Sequence, residues 1–272
     1  MPYRIPPVSL DKLWGSKTIE PWFAPRPGLL GEVWFQTEPP LSLLTKFIFT
    51  SDRLSVQVHP DDAQARERGL ENGKTEMWHV LRADPGATIA LGFRHEITLD
   101  HARAAALSGE IVDLLDWKPV QPGDTFFVNA GTVHAIGAGI ALCEIQQNSD
   151  TTYRLYDYGR DRQLHLIDGF AVSHLYPWQP QAAPQALDEV WTRLVTAEYF
   201  ETDLGLLSAP HQLPPAGAYR LLVILEGAGR IAGQPYNLGQ CWLIDPAEPA
   251  VELSPSTPTR ILRTGPPCPL LS

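Results

Sequence analysis

The stretch Pro122–Ile136, PGDTFFVNAGTVHAI, alternates turn residues with a short apolar run, and this texture decides the fold class. Pro122-Gly123-Asp124 is typical of a tight turn, and Thr125–Val128 is typical of a strand. Ala130-Gly131-Thr132 is typical of a second turn, which lies just before His134. The same texture extends outward, since 26 prolines and 21 glycines are spread through the chain. It predicts an all-β protein with short helical insertions.

Apolar runs of strand length recur along the chain. They lie at Leu43–Phe49, Leu54–His59, Glu76–Arg82, Ala87–Gly92, Thr125–Val128, Gly139–Gln146, Arg220–Leu225 and Gln240–Ile244. Two segments predict helices instead. Asp61–Leu70 follows Pro60, and Leu99–Gly109 has Asp100 as its candidate N-cap, an alanine-rich body and a closing glycine. A further helical turn is expected through Ile111–Leu115.

A proline- and glutamine-rich segment, YPWQPQAAPQAL at Tyr176–Leu187, shows no hydrophobic periodicity and predicts a linker. We therefore expect a domain at residues 1–175 that carries the chemistry, a linker at 176–190, and a smaller β-domain at 191–272. The C-terminal part contains His211 as its one histidine. We expect it to lack a metal site.

The overall composition excludes several classes of protein. A formal net charge of −10 argues against a protein that coats nucleic acid, which needs a surplus of basic residues. No apolar run reaches the ~18 residues of a membrane span, and the start MPYRIPPVSL lacks a signal-peptide core. The three cysteines, Cys143, Cys241 and Cys268, form no CxxC pair, so neither a disulfide framework nor a cysteine zinc site is expected. A cytoplasmic protein follows from these features.

Polar residues interrupt two of the predicted strands. In SVQVHP, Ser55–Pro60, strand alternation places Gln57 and His59 on the same face. With Glu76 and His134, they supply an amide oxygen, a carboxylate and two imidazoles. Such a mixed N/O donor set suits a catalytic Zn²⁺, and other divalent metals also accept it.

Basic residues accompany these candidate ligands. Lys74 precedes Glu76, and the segment EIQQNSDTTYRLYDYGR, which begins at Glu144, contains Arg154 and Arg160. Guanidinium groups offer forked donors for an anionic group. The alternative is that the two arginines form structural salt bridges with Asp150 or Asp157.

The segments SVQVHPDD, GKTEMW, AGTVHAIG and EIQQNSDTTYRLYDYGR, in this order, resemble the type I phosphomannose isomerases, in particular their short bacterial form. Residues 123–134 also match the spacing of the second cupin motif, with Asn129 in place of its proline. The resemblance implies two cupin-like β-barrel or jelly-roll units, the first of them catalytic. It also implies one Zn²⁺ per chain, held by Gln57, His59, Glu76 and His134.

The resemblance further implies an aldose–ketose isomerase that interconverts mannose 6-phosphate and fructose 6-phosphate, acting as a monomer or homodimer. The implied catalytic residues are Arg154, Lys74 and Glu144, and the implied substrate-binding residues are Ser55, Lys74, Arg154 and Arg160. Three candidates for the base stay open: Glu144, a metal-bound hydroxide and His79. An isomerase or epimerase of another sugar phosphate and a non-catalytic sugar-binding cupin are the alternative functions.

Other residues of chemically active types are expected to be structural. The remaining histidines are predicted to be surface or capping residues: His95, His101, His165, His174 and His211. Trp14, Trp34 and Trp78 are predicted to be core residues, as aromatic residues of β-barrels commonly are, with a position that lines the mouth of the barrel as the alternative. Cys143 is expected to be buried, on the strand face opposite to Glu144.

Overall fold

The computed structural model describes residues 1–267, and Cys268 lies outside this range. Its N-terminal two-thirds contains twelve strands and four short helices. The strands are β1 (Tyr3–Ile5), β2 (Pro7–Ser16), β3 (Leu30–Phe35), β4 (Leu43–Phe49), β5 (Val56–Val58), β6 (Glu76–Ala83), β7 (Thr88–Phe93), β8 (Leu115–Pro119), β9 (Thr125–Val128), β10 (His134–Ile136), β11 (Ile140–Gln147) and β12 (Tyr153–Tyr156). The helices are α1 (Asp62–Glu67), α2 (Leu99–Ser108), α3 (Ile111–Leu114) and α4 (Leu166–Val172).

In the rest of the described chain, the regular secondary structure consists of strands alone. They are β13 (Gln185–Ala186), β14 (Trp191–Thr196), β15 (Glu201–Leu207), β16 (His211–Leu213), β17 (Arg220–Glu226), β18 (Ala228–Ile231), β19 (Gln234–Asn237), β20 (Cys241–Ile244), β21 (Val251–Pro255) and β22 (Thr259–Gly265). The predicted all-β class with short helical insertions is confirmed. No helix within residues 1–267 has the length and apolar character needed to cross a membrane.

Four antiparallel sheets build the part of the molecule from residue 1 to 267. Their strand orders are β2-β3-β4-β11-β6-β9, β12-β5-β10-β7-β8, β1-β20-β17-β22-β15-β14-β13 and β16-β21-β18-β19. We call them the central, outer, bridging and distal sheets, in that order. Each strand order is open, so within the described residues the sheets stack as layers and do not close into a barrel.

Hydrophobic clusters between the layers hold the stack together. The central and outer sheets enclose a cluster that contains Trp78 and Leu91, and the outer face of the outer sheet packs on α2, α3 and α4. The central and bridging sheets enclose another cluster, which contains Phe47 and Val223. The bridging and distal sheets enclose the last, around Trp191 and Leu253. The central sheet is therefore covered on both faces, which explains why β4 reads LLTKFIF and is buried throughout.

Most predicted elements are present, with shifted ends. β4 and β9 match their predicted bounds, whereas the predicted strand Leu54–His59 pairs only over Val56–Val58. The residue Asp61 caps α1 and forms a capping box with Gln64. The predicted N-cap of α2 is wrong, because the Thr98 hydroxyl, not Asp100, accepts the hydrogen bond from the backbone N–H of His101.

The two ends of the chain meet in the bridging sheet. Strand β1 pairs with β20 and places Ile5 opposite Cys241. The predicted linker contains one short strand, β13, and its Trp178 donates a hydrogen bond to the Phe127 carbonyl of the N-terminal part. The division into domains at residues 175 and 191 stays a prediction. Cys143 and Cys241 are free and buried, and Cys143 belongs to the cluster between the central and bridging sheets.

Candidate metal centre and cavity

One wall of the candidate site is a row of polar side chains across the outer sheet. His134 in β10 is the register partner of Gln57 in β5, and Gln57 is the register partner of Arg154 in β12. Direct cross-strand partners carry their side chains on the same face of a sheet. The row therefore brings together an imidazole, an amide and a guanidinium from three separate parts of the chain.

The facing wall is formed by the central sheet. Glu144 in β11 has Lys46 of β4 as its partner on one side and Trp78 of β6 on the other. Two residues further along β11, Gln146 is the register partner of Glu76. Because side chains alternate along a strand, all five residues share the face that looks toward the outer sheet.

Two imidazoles and one carboxylate converge between these walls. The Nε2 atom of His59 lies 3.6 Å from Glu76 Oε2, and the Nε2 atom of His134 lies 3.4 Å from Glu76 Oε1. The potential ligand atoms of the three residues all lie within 4.8 Å of one another. The three residues are buried, at most 1% exposed. Their geometry is that of a candidate metal centre with two nitrogen donors and one carboxylate donor.

Hydrogen bonds prepare both imidazoles to act as ligands. His59 Nδ1 lies 2.8 Å from the Thr151 carbonyl, and His134 Nδ1 lies 2.9 Å from the Thr132 carbonyl. A carbonyl only accepts, so each Nδ1 carries the hydrogen and each neutral ring presents the Nε2 lone pair toward Glu76. Burial lowers the pKa of His134 to about 4, and burial together with Lys74 holds the pKa of His59 well below its usual range. Both rings are therefore neutral, as metal binding requires.

The surroundings of the Glu76 carboxylate favour a further positive charge next to it. Burial raises the pKa of this carboxyl to about 7, against the lowering effect of Lys74. Lys74 Nζ lies 3.1 Å from Glu76 Oε2, yet this buried oxygen accepts no well-aligned hydrogen bond. Buried carboxylates are normally paired or bound to metal. The donor set, and a buried carboxylate oxygen without a well-aligned hydrogen bond, thus fit a divalent cation.

Gln57 adjoins the three candidate ligands. Its Nε2 atom lies 3.2 Å from His134 Nε2, and its Oε1 atom lies 3.3 Å from the Ser55 hydroxyl, which donates to it. Rotating the amide by half a turn exchanges its oxygen and nitrogen, and so presents an oxygen donor to the same space. The position suits a fourth ligand, and that role stays a prediction.

Two buried lysines border the candidate centre. Lys46 Nζ lies 3.2 Å from Glu144 Oε2 and donates to Gln146 Oε1 at 2.5 Å. Burial alone would raise the pKa of Glu144, but Lys46 and Lys74, with hydrogen bonds from Lys46 and Trp78, lower it to about 2. Burial opposes the charge of Lys74, but Glu76 and Glu144 raise the pKa of its ammonium. Glu76 and Glu144 thus keep Lys74 charged.

A cavity of about 410 Å³ opens above the candidate centre, and Ser55, Gln57 and Glu144 are among its lining residues. Its volume suits a small metabolite. Its charged lining is mainly positive: the cations are Lys12, Lys46, Lys74, Arg154 and Arg162, and the anions are Glu32, Glu144 and Asp150. Positive charge in a low-dielectric cavity favours an anionic ligand.

Two other residues that the sequence singled out, Arg160 and His79, lie outside the cavity lining. Arg160 is absent from the cavity lining and forms ion pairs with Asp52 and Asp157. His79 lies on the face of β6 opposite to Glu76, bonded to the Thr125 hydroxyl, and does not line the cavity. His79 is thus badly placed to serve as the base.

Lys46, Arg162 and His165 are among the cavity residues that the sequence did not reveal. Lys46 carried a signal, since it is one charged residue in the apolar strand β4. Arg162 and His165 lie in the irregular segment between β12 and α4, where no periodicity assigns a face. His165 was expected at the surface or as a cap; it precedes α4 but makes no side-chain cap and instead lines the cavity.

The tryptophans divide between core and cavity. Trp78 is fully buried and donates its Nε1–H to Glu144 Oε1 at 3.1 Å, so its expected core position is confirmed. Trp14 is also buried but borders the cavity, as does the half-buried Trp34. Lys46 Nζ lies 4.5 Å from the centre of a Trp34 ring, a cation–π distance.

Together, the fold and the site define an all-β protein with a candidate metal centre beneath a cation-rich cavity. No protein-family model matches the chain. The chain is 41% identical over 198 residues to a mannose-6-phosphate isomerase of Streptococcus mutans, a match that covers 70% of this chain and 62% of that relative. A probable mannose-6-phosphate isomerase of Bacillus subtilis is 33% identical over 227 residues, covering 79% of this chain and 70% of the relative. The chain belongs to the mannose-6-phosphate isomerase family.

Similarity to solved structures extends over almost the whole chain. The crystal structure of a mannose 6-phosphate isomerase from Bacillus subtilis superposes with a TM-score of 0.86 at 23% identity, and the match covers 97% of this chain and 99% of the other. At this identity the likeness establishes a shared fold. The chain thus shares the fold of that structure over almost its whole length.

Proposed function

We propose that the protein interconverts mannose 6-phosphate and fructose 6-phosphate in a zinc-dependent reaction. The observation that carries the proposal is the buried cluster of His59, Glu76 and His134 beneath a cavity lined mainly by cations. Membership of the family supports the substrate. A sugar phosphate combines a dianionic group with hydroxyl and carbonyl oxygens, and the cavity offers partners for both.

The metal would be held by His59, Glu76, His134 and Gln57. Two imidazole nitrogens and two oxygens suit Zn²⁺ with a further coordination position for substrate or water. Bound there, the ion would supply Lewis acidity toward the substrate oxygens.

Charged residues of the chain itself would stabilise the transition state. Aldose–ketose isomerisation moves a proton between C1 and C2 through an enediolate, on whose oxygens negative charge develops. Lys46 and Lys74 are fixed, charged and border the candidate centre, so they can stabilise that charge without reorganising. Arg154 would bind the phosphate, with Ser55 as a further donor to the substrate, and so orient the sugar.

Glu144 is proposed to act as the counter-ion of Lys46 and Lys74. A carboxylate with a pKa of about 2 is a weak base at neutral pH. Its hydrogen bond from Trp78 and its contact with Lys46 fix it in place. The low pKa favours this electrostatic role over that of the base.

A direct assay tests the function. Purified protein is mixed with mannose 6-phosphate, and fructose 6-phosphate is measured with and without a chelator. Glucose 6-phosphate serves as an alternative sugar phosphate. We expect turnover of mannose 6-phosphate that is lost on verified removal of metal and restored by Zn²⁺. Turnover of another sugar phosphate in its place would refute the substrate, and unchanged activity without metal would refute the metal dependence.

A variant separates metal binding from the rest of the site. Glu76→Gln removes the one carboxylate of the cluster, so the metal content should fall from about one equivalent to below about one tenth, and turnover should fall with it. The exposed Glu67→Gln is the control and should retain both metal and activity. A Glu76→Gln protein that holds a full equivalent of metal would show that the ligands lie elsewhere.

A further inference from the structure

Arg160 is occupied outside the cavity. Its Nη1 donates to Asp157 Oδ1 at 3.1 Å, and its Nη2 donates to Asp52 Oδ2 and to the Arg53 carbonyl, both at 2.7 Å. Its guanidinium also lies 5.4 Å from the centre of the Tyr158 ring. To reach a ligand in the cavity, Arg160 would have to break three hydrogen bonds to two carboxylates and a carbonyl. Its contacts are those of a residue that anchors its own loop.

Arg162, two residues further on, lines the cavity. Its Nε and Nη2 atoms donate to the two oxygens of Asp157 at 2.6 and 2.7 Å. This two-point contact uses one edge of the guanidinium, and Nη1 has no hydrogen-bond partner in the part of the chain that the structure describes. The Asp157 side chain is 1% exposed and so provides a fixed base for Arg162. One edge of Arg162 is thus anchored while the other is available to a ligand.

Arg154 lines the same cavity without a counter-ion of its own. Its Nε atom is buried and unpartnered, and its guanidinium makes no ion pair with any residue from 1 to 267. Burial lowers the pKa of Arg154, and the charge of Arg162 lowers it further. Both guanidinium groups line the cavity, and of the two only Arg162 forms an ion pair among residues 1–267, with Asp157, so together they carry an excess of positive charge. An anion with several oxygens would neutralise it.

His165 adds a neutral donor to this pair. Its Nδ1 atom accepts a hydrogen bond from the backbone N–H of Arg154 at 3.1 Å. The hydrogen of the neutral ring is therefore on Nε2, which can donate to a ligand. His165 lines the cavity with the two arginines. The backbone N–H of Arg154 thus fixes the tautomer of His165, and the side chains of both residues line the cavity.

We propose that Arg162, together with Arg154 and the Nε2–H of His165, binds the phosphate of the substrate, while Arg160 only supports the loop. The inference rests on the proposed function, because it assigns residues to the phosphate of a sugar phosphate. It replaces Arg160 by Arg162 in that role. Asp157 joins the two arginines, so it fixes the loop through Arg160 and orients Arg162 toward the cavity.

The matched variants Arg162→Met and Arg160→Met test the assignment. Each variant removes one of the two arginines that donate hydrogen bonds to Asp157 and leaves the other in place. For Arg162→Met we expect the KM for mannose 6-phosphate and the inhibition constant of inorganic phosphate to rise about 10- to 100-fold, the range of one lost charged hydrogen bond. Its kcat should change less than about threefold, since the phosphate lies away from the reacting carbons. Arg160→Met should lower the melting temperature and raise KM less than about threefold.

Two further outcomes separate the inference from the function on which it rests. If KM and the phosphate inhibition constant rise in Arg160→Met and stay unchanged in Arg162→Met, the assignment is overturned and the isomerase function stands. If the wild-type protein does not convert mannose 6-phosphate, the proposed function fails, and calorimetric titration with inorganic phosphate then decides the inference. Binding weakened at least tenfold in Arg162→Met supports the anion site, and equal binding in the wild type and in Arg162→Met overturns it.

Discussion

Replacing His79 by glutamine should make the protein less sensitive to acid. His79 is 1% exposed between the central and bridging sheets, its Nδ1 lies 2.9 Å from the Thr125 hydroxyl, and its Nε2 has no hydrogen-bond partner among residues 1–267. Burial, reinforced by the positive charge of Arg260, lowers its pKa from 6.5 to about 4. A second N–H on this ring would have no acceptor and would approach a guanidinium.

The sign and size of the effect follow from proton linkage. Above pH 6.5 the ring is neutral in both the folded and unfolded states, so its contribution to stability is fully present there. As the pH falls from about 6.5 to about 4, the unfolded state binds a proton that the folded state does not, and the free energy of unfolding decreases by about 1.4 kcal/mol per pH unit. The total is about 3 kcal/mol for this one group.

Urea unfolding between pH 7 and pH 4 measures the difference. We expect the free energy of unfolding of the wild type to fall by about 3 kcal/mol more than that of His79→Gln, because all other titrating groups are shared and cancel. His101→Gln, which changes an exposed histidine on α2, is the control and should follow the wild type. Parallel curves for the wild type and His79→Gln would show that His79 is not buried as a neutral ring.

Two further changes probe the cavity wall and a helix terminus. Lys46→Met removes the cation that contacts Glu144 and a positive charge at the proposed enediolate site, so kcat should fall about 10²- to 10³-fold. Steady-state kinetics, with the metal content of the variant measured, tests this. A kcat within a few-fold of the wild-type value would contradict it. Thr98→Ala removes the N-cap of α2 and should lower the free energy of unfolding by about 1 kcal/mol. Asp100→Ala should lower it by less in 0.15 M salt, because Asp100 acts only through the screened helix dipole. Equal losses in thermal or urea unfolding would contradict the capping assignment.

Strands were predictable where apolar runs are bounded by turn residues. β4 and β9 match their predicted bounds, and the start of β6 at Glu76 was also predicted. The N-terminal strands β1–β3 were missed. In the case of β1, the strand forms through pairing with β20, more than 200 residues away. Such pairing depends on the assembled sheets and leaves no local periodicity to detect.

The cap of α2 shows a related limit. Thr98 and Asp100 are both common N-cap residues, and a shift of two positions changes which backbone N–H is in reach. The extended backbone of Thr98 and the hydrogen bond that its hydroxyl accepts from the His101 N–H identify it as the cap. Helix ends inferred from sequence carry this uncertainty.

The candidate metal centre was largely predictable because its donors lie in ordered motifs. Gln57, His59, Glu76 and His134 were named from residue types, strand alternation and resemblance, and three of them form the cluster in the structure. Lys74 was expected beside Glu76, and its ammonium does contact that carboxylate. Residue type is decisive here because few side chains can bind a divalent cation.

The sequence by itself determined the all-β class and the donor types of the candidate metal cluster. Tertiary structure alone decided which charges meet: Lys46 contacts Gln146, 100 residues away, and Arg162 lines the cavity while Arg160 is held outside it. The reason is physical. Alternation along a strand fixes the face of a side chain locally, whereas the partner across a sheet, and the direction of an irregular loop, depend on contacts between distant segments.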